Sequence, residues 1–105
     1  MSGMSALSTT LVSGEPEFIC TVRDESLGLI GYVVIDALIA GHACGGLRMS
    51  ETVNVSELKN LARSMTLKYG FNQMAQGGAK AGIVADRDLP VDEKRRLLYR
   101  FGELI

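Results

Sequence analysis

The run Leu29-Ile-Gly-Tyr-Val-Val-Ile-Asp-Ala-Leu-Ile39 limits the fold more than any other stretch of this chain. It is rich in β-branched residues and almost continuously apolar. A strand with one wet face alternates, whereas a run apolar throughout suits a central strand covered on both faces. The rest of the chain must therefore supply neighbouring strands and helices to cover them.

The preceding segment supplies one neighbour. From Glu17 to Arg23, Phe18, Cys20 and Val22 fall on one face and Glu17, Thr21 and Arg23 on the other, which predicts a half-buried strand. Asp24 to Gly28 are turn residues, so the two strands form a hairpin. Gly41-His-Ala-Cys-Gly45-Gly46 reads as a flexible break before a short strand at Leu47-Arg48-Met49. Asn54 with Glu57 three positions on resembles a capping box. At 100° per residue, Val55, Leu58, Leu61, Ala62, Met65, Tyr69 and Asn72 then form one apolar stripe, flanked or opposed by Lys59, Asn60, Arg63, Ser64 and Thr66. Ala79 to Ala85 can form another short strand. Pro90 suits the first turn of a second helix, with Asp92 and Glu93 behind it and Leu97, Leu98, Phe101 and Ile105 as its buried face. The expected fold class is α/β: a mixed sheet of about four strands, with helices Val55–Met74 and Pro90–Ile105 packed on it.

Composition narrows the class of function. A chain of 105 residues makes one domain, and 47% hydrophobic with 22% charged residues is globular rather than disordered. The formal net charge of -1 provides no basic field for nucleic acid or an anionic membrane, so neither partner is expected. Leu27 to Ala40, the longest apolar stretch, is too short and interrupted for a span of roughly 20 residues. Cys20 and Cys44 have no paired spacing and no secretory signal precedes them, which favours reduced thiols and a cytoplasmic location. Met1 to Gly14 reads as a loose leader and residues 15–105 as the domain.

Lys68 and Lys80, twelve positions apart, are the chemical candidates. Lys68 lies at the edge of the helical stripe, where its stem either snorkels to water or delivers an ammonium to a ligand carboxylate. Lys80 follows Gly77-Gly78, which permit a tight turn and close backbone approach. It is either a solvated lysine after a turn or an amine presented into a cleft. Gly77-Gly78-Ala-Lys80 is not a phosphate-binding loop, because the first glycine is wrongly spaced and no Ser or Thr follows. Gly45-Gly46 either approach a substrate through backbone amides or belong to a plain loop. Arg48 is an anion binder or an ion-pair partner, His42 a lone loop histidine, and Cys44 has no base placed near it. Carboxylates are scattered, and no metal cluster is expected.

Four segments in register resemble the N-terminal domain of the glutamate/leucine/phenylalanine/valine dehydrogenase family. They are Gly45-Gly46-Leu-Arg-Met49, Val53-Asn-Val-Ser-Glu-Leu-Lys59, Met65-Thr-Leu-Lys68 and Gly77-Gly78-Ala-Lys80. The resemblance implies oxidative deamination of an L-amino acid to a 2-oxo acid with NAD or NADP. It implies Lys68 on the substrate α-carboxylate, Lys80 as the catalytic amine, and Gly45 and Gly46 against the substrate. Glutamate enzymes carry a lysine where this chain has Cys44 and tend to carry a glutamine where it has Met65, so the resemblance implies a pocket for an apolar side chain. Val53 to Lys59 is closer to the glutamate branch, which leaves the subgroup open, and Ala75-Gln76 replaces the usual proline before the glycine pair. The family's catalytic aspartate and dinucleotide-binding domain lie beyond the second lysine. These 105 residues are therefore expected to be a substrate-binding and oligomerisation domain, inactive alone, with the cofactor held elsewhere. The alternative is a stand-alone module that binds an amino acid or dimerises without catalysis.

Overall fold

The structure is a computed structural model and describes residues 15–105; the leader expected at Met1 to Gly14 lies outside them. The elements are β1 (Phe18–Asp24), β2 (Leu29–Ile35), β3 (Ala43–Ser50), α1 (Val55–Phe71), β4 (Gly77–Val84) and α2 (Val91–Leu104), with a short 3-10 turn at Glu25–Leu27. The four strands form one sheet in the order β1-β2-β4-β3. β2 is antiparallel to both its neighbours, while β3 and β4 are parallel. Parallel neighbours need a long crossover, and α1 provides it.

One helix covers each face, which is why the β2 run is apolar throughout. Val34, Val53, Leu58 and Ala62 make the core under α1, with Tyr32 and Val84 against it. Val22, Leu29, Ile83, Leu97 and Phe101 make the core under α2. Successive β2 residues alternate between the two. The mixed four-strand α/β sheet with two helices is therefore as expected.

The boundaries move for local reasons. β2 stops at Ile35 rather than Ile39, because Asp36 leaves the ladder to meet Arg63 Nε at 3.0 Å and the Leu38 N–H bonds the Glu17 carboxylate. Gly41 to Gly46 is not a flexible break. Ile39 and His42 exchange backbone hydrogen bonds at 3.1 and 3.0 Å across Ala40 and Gly41, whose φ values are 54° and 77°. Positive φ at both central positions is the requirement of a type I′ turn. β3 then starts at Ala43 and contains the glycine pair. Likewise Gly77-Gly78 is no turn, but the first two residues of β4.

α1 is half of a capping box. Asn54 Oδ1 accepts from Glu57 N at 2.9 Å, but the Glu57 carboxylate goes to Arg48 Nε at 2.8 Å instead of back to the cap. α1 ends at Phe71, not Met74: Gln73, at φ 59°, closes it, with Gln73 N bonded to Gly70 O and Met74 N to Tyr69 O. In α2, Leu97 and Phe101 are buried as expected, but Leu98 and Ile105 are 42% and 63% exposed. Gly31 lets the Phe101 ring sit on the strand itself, since a Cβ there would stand 2.6 Å from the ring. That draws α2 in along the Leu97–Phe101 line and leaves Leu98, about 100° further round, facing water.

Candidate active site

The β3-α1-β4 unit carries Cys44, Gly45, Gly46, Arg48, Met65, Lys68 and Lys80. Register pairs Cys44 with Gly78, Gly46 with Lys80 and Arg48 with Gly82, and paired residues share a face. That face belongs to α1. A Cβ on Gly78 would lie 2.1 Å from Ala62 O and 2.8 Å from Met65 Cβ, and one on Gly82 would lie 2.9 Å from Leu58 and Val53 side-chain carbons. The two glycines let the helix rest on the strand backbone, and Lys80 stands between them. Its half-buried side chain runs out towards β3, where Nζ comes within 3.4 Å of the place a Gly46 Cβ would take.

Lys68 is exposed on α1. Eleven residues at 100° bring it within about 20° of Glu57 round the helix, and Glu57 reaches Arg48 on β3. Lys68 therefore lies on the flank of α1 that looks towards β3, the side to which Lys80 extends. Met65 is half-buried over Gly78. Tyr69 OH donates to the Cys44 carbonyl at 3.5 Å. Partial burial pushes the Tyr69 phenol above its ordinary value and the Cys44 thiol adds to the rise, so the hydroxyl stays a donor.

The site's charge is uncompensated. Among the described residues neither Lys68 nor Lys80 makes an ion pair or hydrogen bond, whereas Arg48, Lys59, Arg63 and Arg100 all have carboxylate partners. Two ammonium groups on one side of a helix, neither paired with a protein anion because Glu57 is taken by Arg48, suit an anionic ligand. Arg48, which sequence left as anion binder or ion-pair partner, is the latter. His42 is exposed, and its carbonyl accepts from Gly77 N at 3.0 Å. Cys20 and Cys44 are free thiols.

Gly45 has a different reason to be glycine from Gly46. A Cβ on Gly45 would stand 1.6 Å from Ala79 O, so β3 and β4 could not approach as they do. Sequence reasoning missed Thr66, set among the polar residues flanking or opposing the stripe. It is 4% exposed, and its Oγ1 accepts from Gly78 N at 2.8 Å. A threonine four residues from the stripe's Ala62, where a hydroxyl can bond back to the i−4 carbonyl, was the available signal. A polar cavity of about 520 Å³ opens elsewhere, at the ends of β3 and β4 between Leu47–Glu51 and Asp86–Asp88, and holds neither lysine. Unpaired charge, rather than enclosure, marks the lysine face.

Among the described residues no three His, Cys, Asp or Glu group to hold a metal. A dinucleotide does not fit them either. α1 and α2 begin without glycine-rich turns, and each places carboxylates in its first turn, Glu57 in α1 and Asp92 and Glu93 in α2. Those charges repel a diphosphate where a helix N-terminus would otherwise attract it.

The family model for the Glu/Leu/Phe/Val dehydrogenase dimerisation domain matches residues 16–105. The chain belongs to this family. It is 31% identical over 90 residues to valine dehydrogenase of Streptomyces coelicolor, covering 82% of this chain and 25% of that one. It is 41% identical over 58 residues to NAD-specific glutamate dehydrogenase of Staphylococcus aureus, covering 54% of this chain and 14% of that one. Hetero-hexameric glutamate dehydrogenase from Thermus thermophilus, in its Leu-bound form, superposes with a TM-score of 0.74 at 31% identity, over 84% of this chain and 23% of that one. Glutamate dehydrogenase from Peptoniphilus asaccharolyticus shares the fold at a TM-score of 0.76 and 21% identity, over 98% of this chain and 30% of that one. The domain thus spans about a quarter or less of the curated relatives it matches.

Proposed function

We propose that this domain is the substrate-binding and self-associating part of an NAD(P)-dependent amino acid dehydrogenase. The observation that carries the reading is the pair of unpartnered lysines on the β3 side of α1, with the Lys80 amine over Gly46. Lys68 anchors the substrate α-carboxylate as a fixed cation. Lys80, nearer the sheet, hydrogen-bonds the carbonyl oxygen of the 2-oxo acid and manages the water that attacks the imino acid. Gly45 and Gly46 form a wall without side chains, so the substrate lies against backbone. Cys44 and Met65 line the site with no charge to meet a side-chain carboxylate, which favours an apolar amino acid. NAD or NADP, held by residues other than these, supplies the hydride acceptor. The relatives, a valine dehydrogenase and an NAD-specific glutamate dehydrogenase, support the reaction class.

Substitution in the full-length protein tests the two roles. Lys80→Ala should cut kcat by about 10²-fold or more while leaving self-association intact. Lys68→Ala should chiefly raise KM, by about 2–3 kcal/mol of lost charge-assisted binding. Undiminished kcat in Lys80→Ala removes the catalytic role. A wild-type protein that binds amino acids but never reduces NAD or NADP is instead a non-catalytic module.

A further inference from the structure

We infer that Thr66 is the positioning residue that sets the separation of Lys68 and Lys80, an assignment that builds on the reading of those lysines as a substrate site. The argument begins where β2 runs out. Its last ladder pair with β4 is Ile35 with Ala79. One step on, Asp36 still gives its N–H to Gly78 O at 2.9 Å, but its carbonyl has turned to accept from Glu17 N at 3.3 Å. The Gly78 N–H thereby loses the acceptor an antiparallel ladder would offer, inside a buried residue. An unpaired buried N–H is costly, so another acceptor must serve it.

Thr66 Oγ1 serves it at 2.8 Å, and lies 3.3 Å from Ala62 O. A backbone N–H can only donate, so the hydroxyl accepts from Gly78 and gives its own proton to Ala62. Both directions of the hydroxyl are thus committed, which holds its rotamer. At this point helix and strand backbones touch, since a Gly78 Cβ would lie 2.5 Å from Thr66 N. Two residues beyond Thr66 on the helix is Lys68. Two residues beyond Gly78 on the strand is Lys80. One hydrogen bond therefore ties the two lysine-bearing segments together at equal chain distance from each amine, and sliding of α1 along β4 must break it.

The test uses Thr66→Val, which keeps the shape and removes the hydroxyl, and Thr66→Ser, which keeps the hydroxyl. Lysines of the full chain are reductively methylated with ¹³C-formaldehyde, with Lys68→Arg and Lys80→Arg used only to assign the signals. Thr66→Val should speed Gly78 amide exchange and shift the Lys80 resonance, while Thr66→Ser returns both towards wild type. In the full-length enzyme Thr66→Val should lower kcat roughly 10- to 100-fold, the cost of misplacing a reacting group by up to about 1 Å. A Lys80 resonance unchanged in Thr66→Val overturns the assignment. If Thr66→Val does not fold, Thr66→Ala carries the same measurement; failure of both to fold, with Thr66→Ser intact, makes the hydroxyl a fold determinant only and also overturns it. Failure of the dehydrogenase reading shows separately, as wild-type protein without turnover, and leaves the lysine resonances and the Gly78 exchange rate valid.

Discussion

Gly45 and Gly46 are neighbours in sequence with opposite physical constraints. A Cβ at Gly45 meets the Ala79 carbonyl oxygen at 1.6 Å, and backbone cannot step aside without parting β3 from β4. A Cβ at Gly46 meets only the far end of Lys80, at 3.4 Å, and that chain can bend away. Gly45→Ala should therefore destabilise the fold by about 3 kcal/mol or more, at the severe end of overpacking. Gly46→Ala should stay within about 0.5 kcal/mol of wild type in urea unfolding, yet put a methyl group against the Lys80 amine where the substrate is proposed to lie and so impair turnover in the full-length protein. Equal stabilities for the two variants would contradict this account. Neither difference was legible in the sequence, where Gly45-Gly46 is a single motif. Which neighbour a missing side chain would strike is a tertiary fact.

At the scale of elements, polar links add to the apolar contacts that dock the helices. Asp24, at the end of β1, accepts from the Ser26 hydroxyl at 2.6 Å and from Arg100 of α2 at 2.7 Å. The Ser26 hydrogen bond first, and Arg100 second, hold its carboxyl below the usual carboxylate range. Because the native value is lowered, the stabilisation is complete above the unfolded value and is lost as pH falls through the native one. Asp24→Asn should flatten that acid loss of stability, measured as urea midpoints on descending from neutral pH through and below the range where free carboxylates titrate. An unaltered slope would show that the carboxylate does not hold α2. Asn54 is the other element-scale determinant: Asn54→Ala removes the cap on Glu57 N and should cost about 1 kcal/mol. Here the sequence was informative, because a cap is local. The Glu57 side chain was not predictable, since its partner Arg48 lies on β3 across the crossover.

For the whole molecule, the self-association proposed above rests on membership of a dimerisation-domain family. Sedimentation of the 105-residue chain should give a mass at least twice that of one copy, and a strictly monomeric species at micromolar concentration would count against it. The architecture was legible because its causes are repetitive. The apolar β2 run called for cover on both faces, and the α1 stripe had the helical period. Errors fell where a single contact overrode the pattern, at Asp36 with Arg63, at Gln73 closing α1, and at Leu98 turned out by Phe101 seated on Gly31. By itself the sequence determined the fold class, because periodicity is a property of the chain, and its resemblance to one family singled out Lys68, Lys80 and the two glycine pairs as candidates, with Cys44 and Met65 as departures from the glutamate branch. Only the tertiary structure decided that Arg48 is spent on Glu57, that the lysines have no anion among the described residues, and that buried Thr66 joins their two segments. Those facts depend on which side chains the crossover brings together, and sequence distance does not record that.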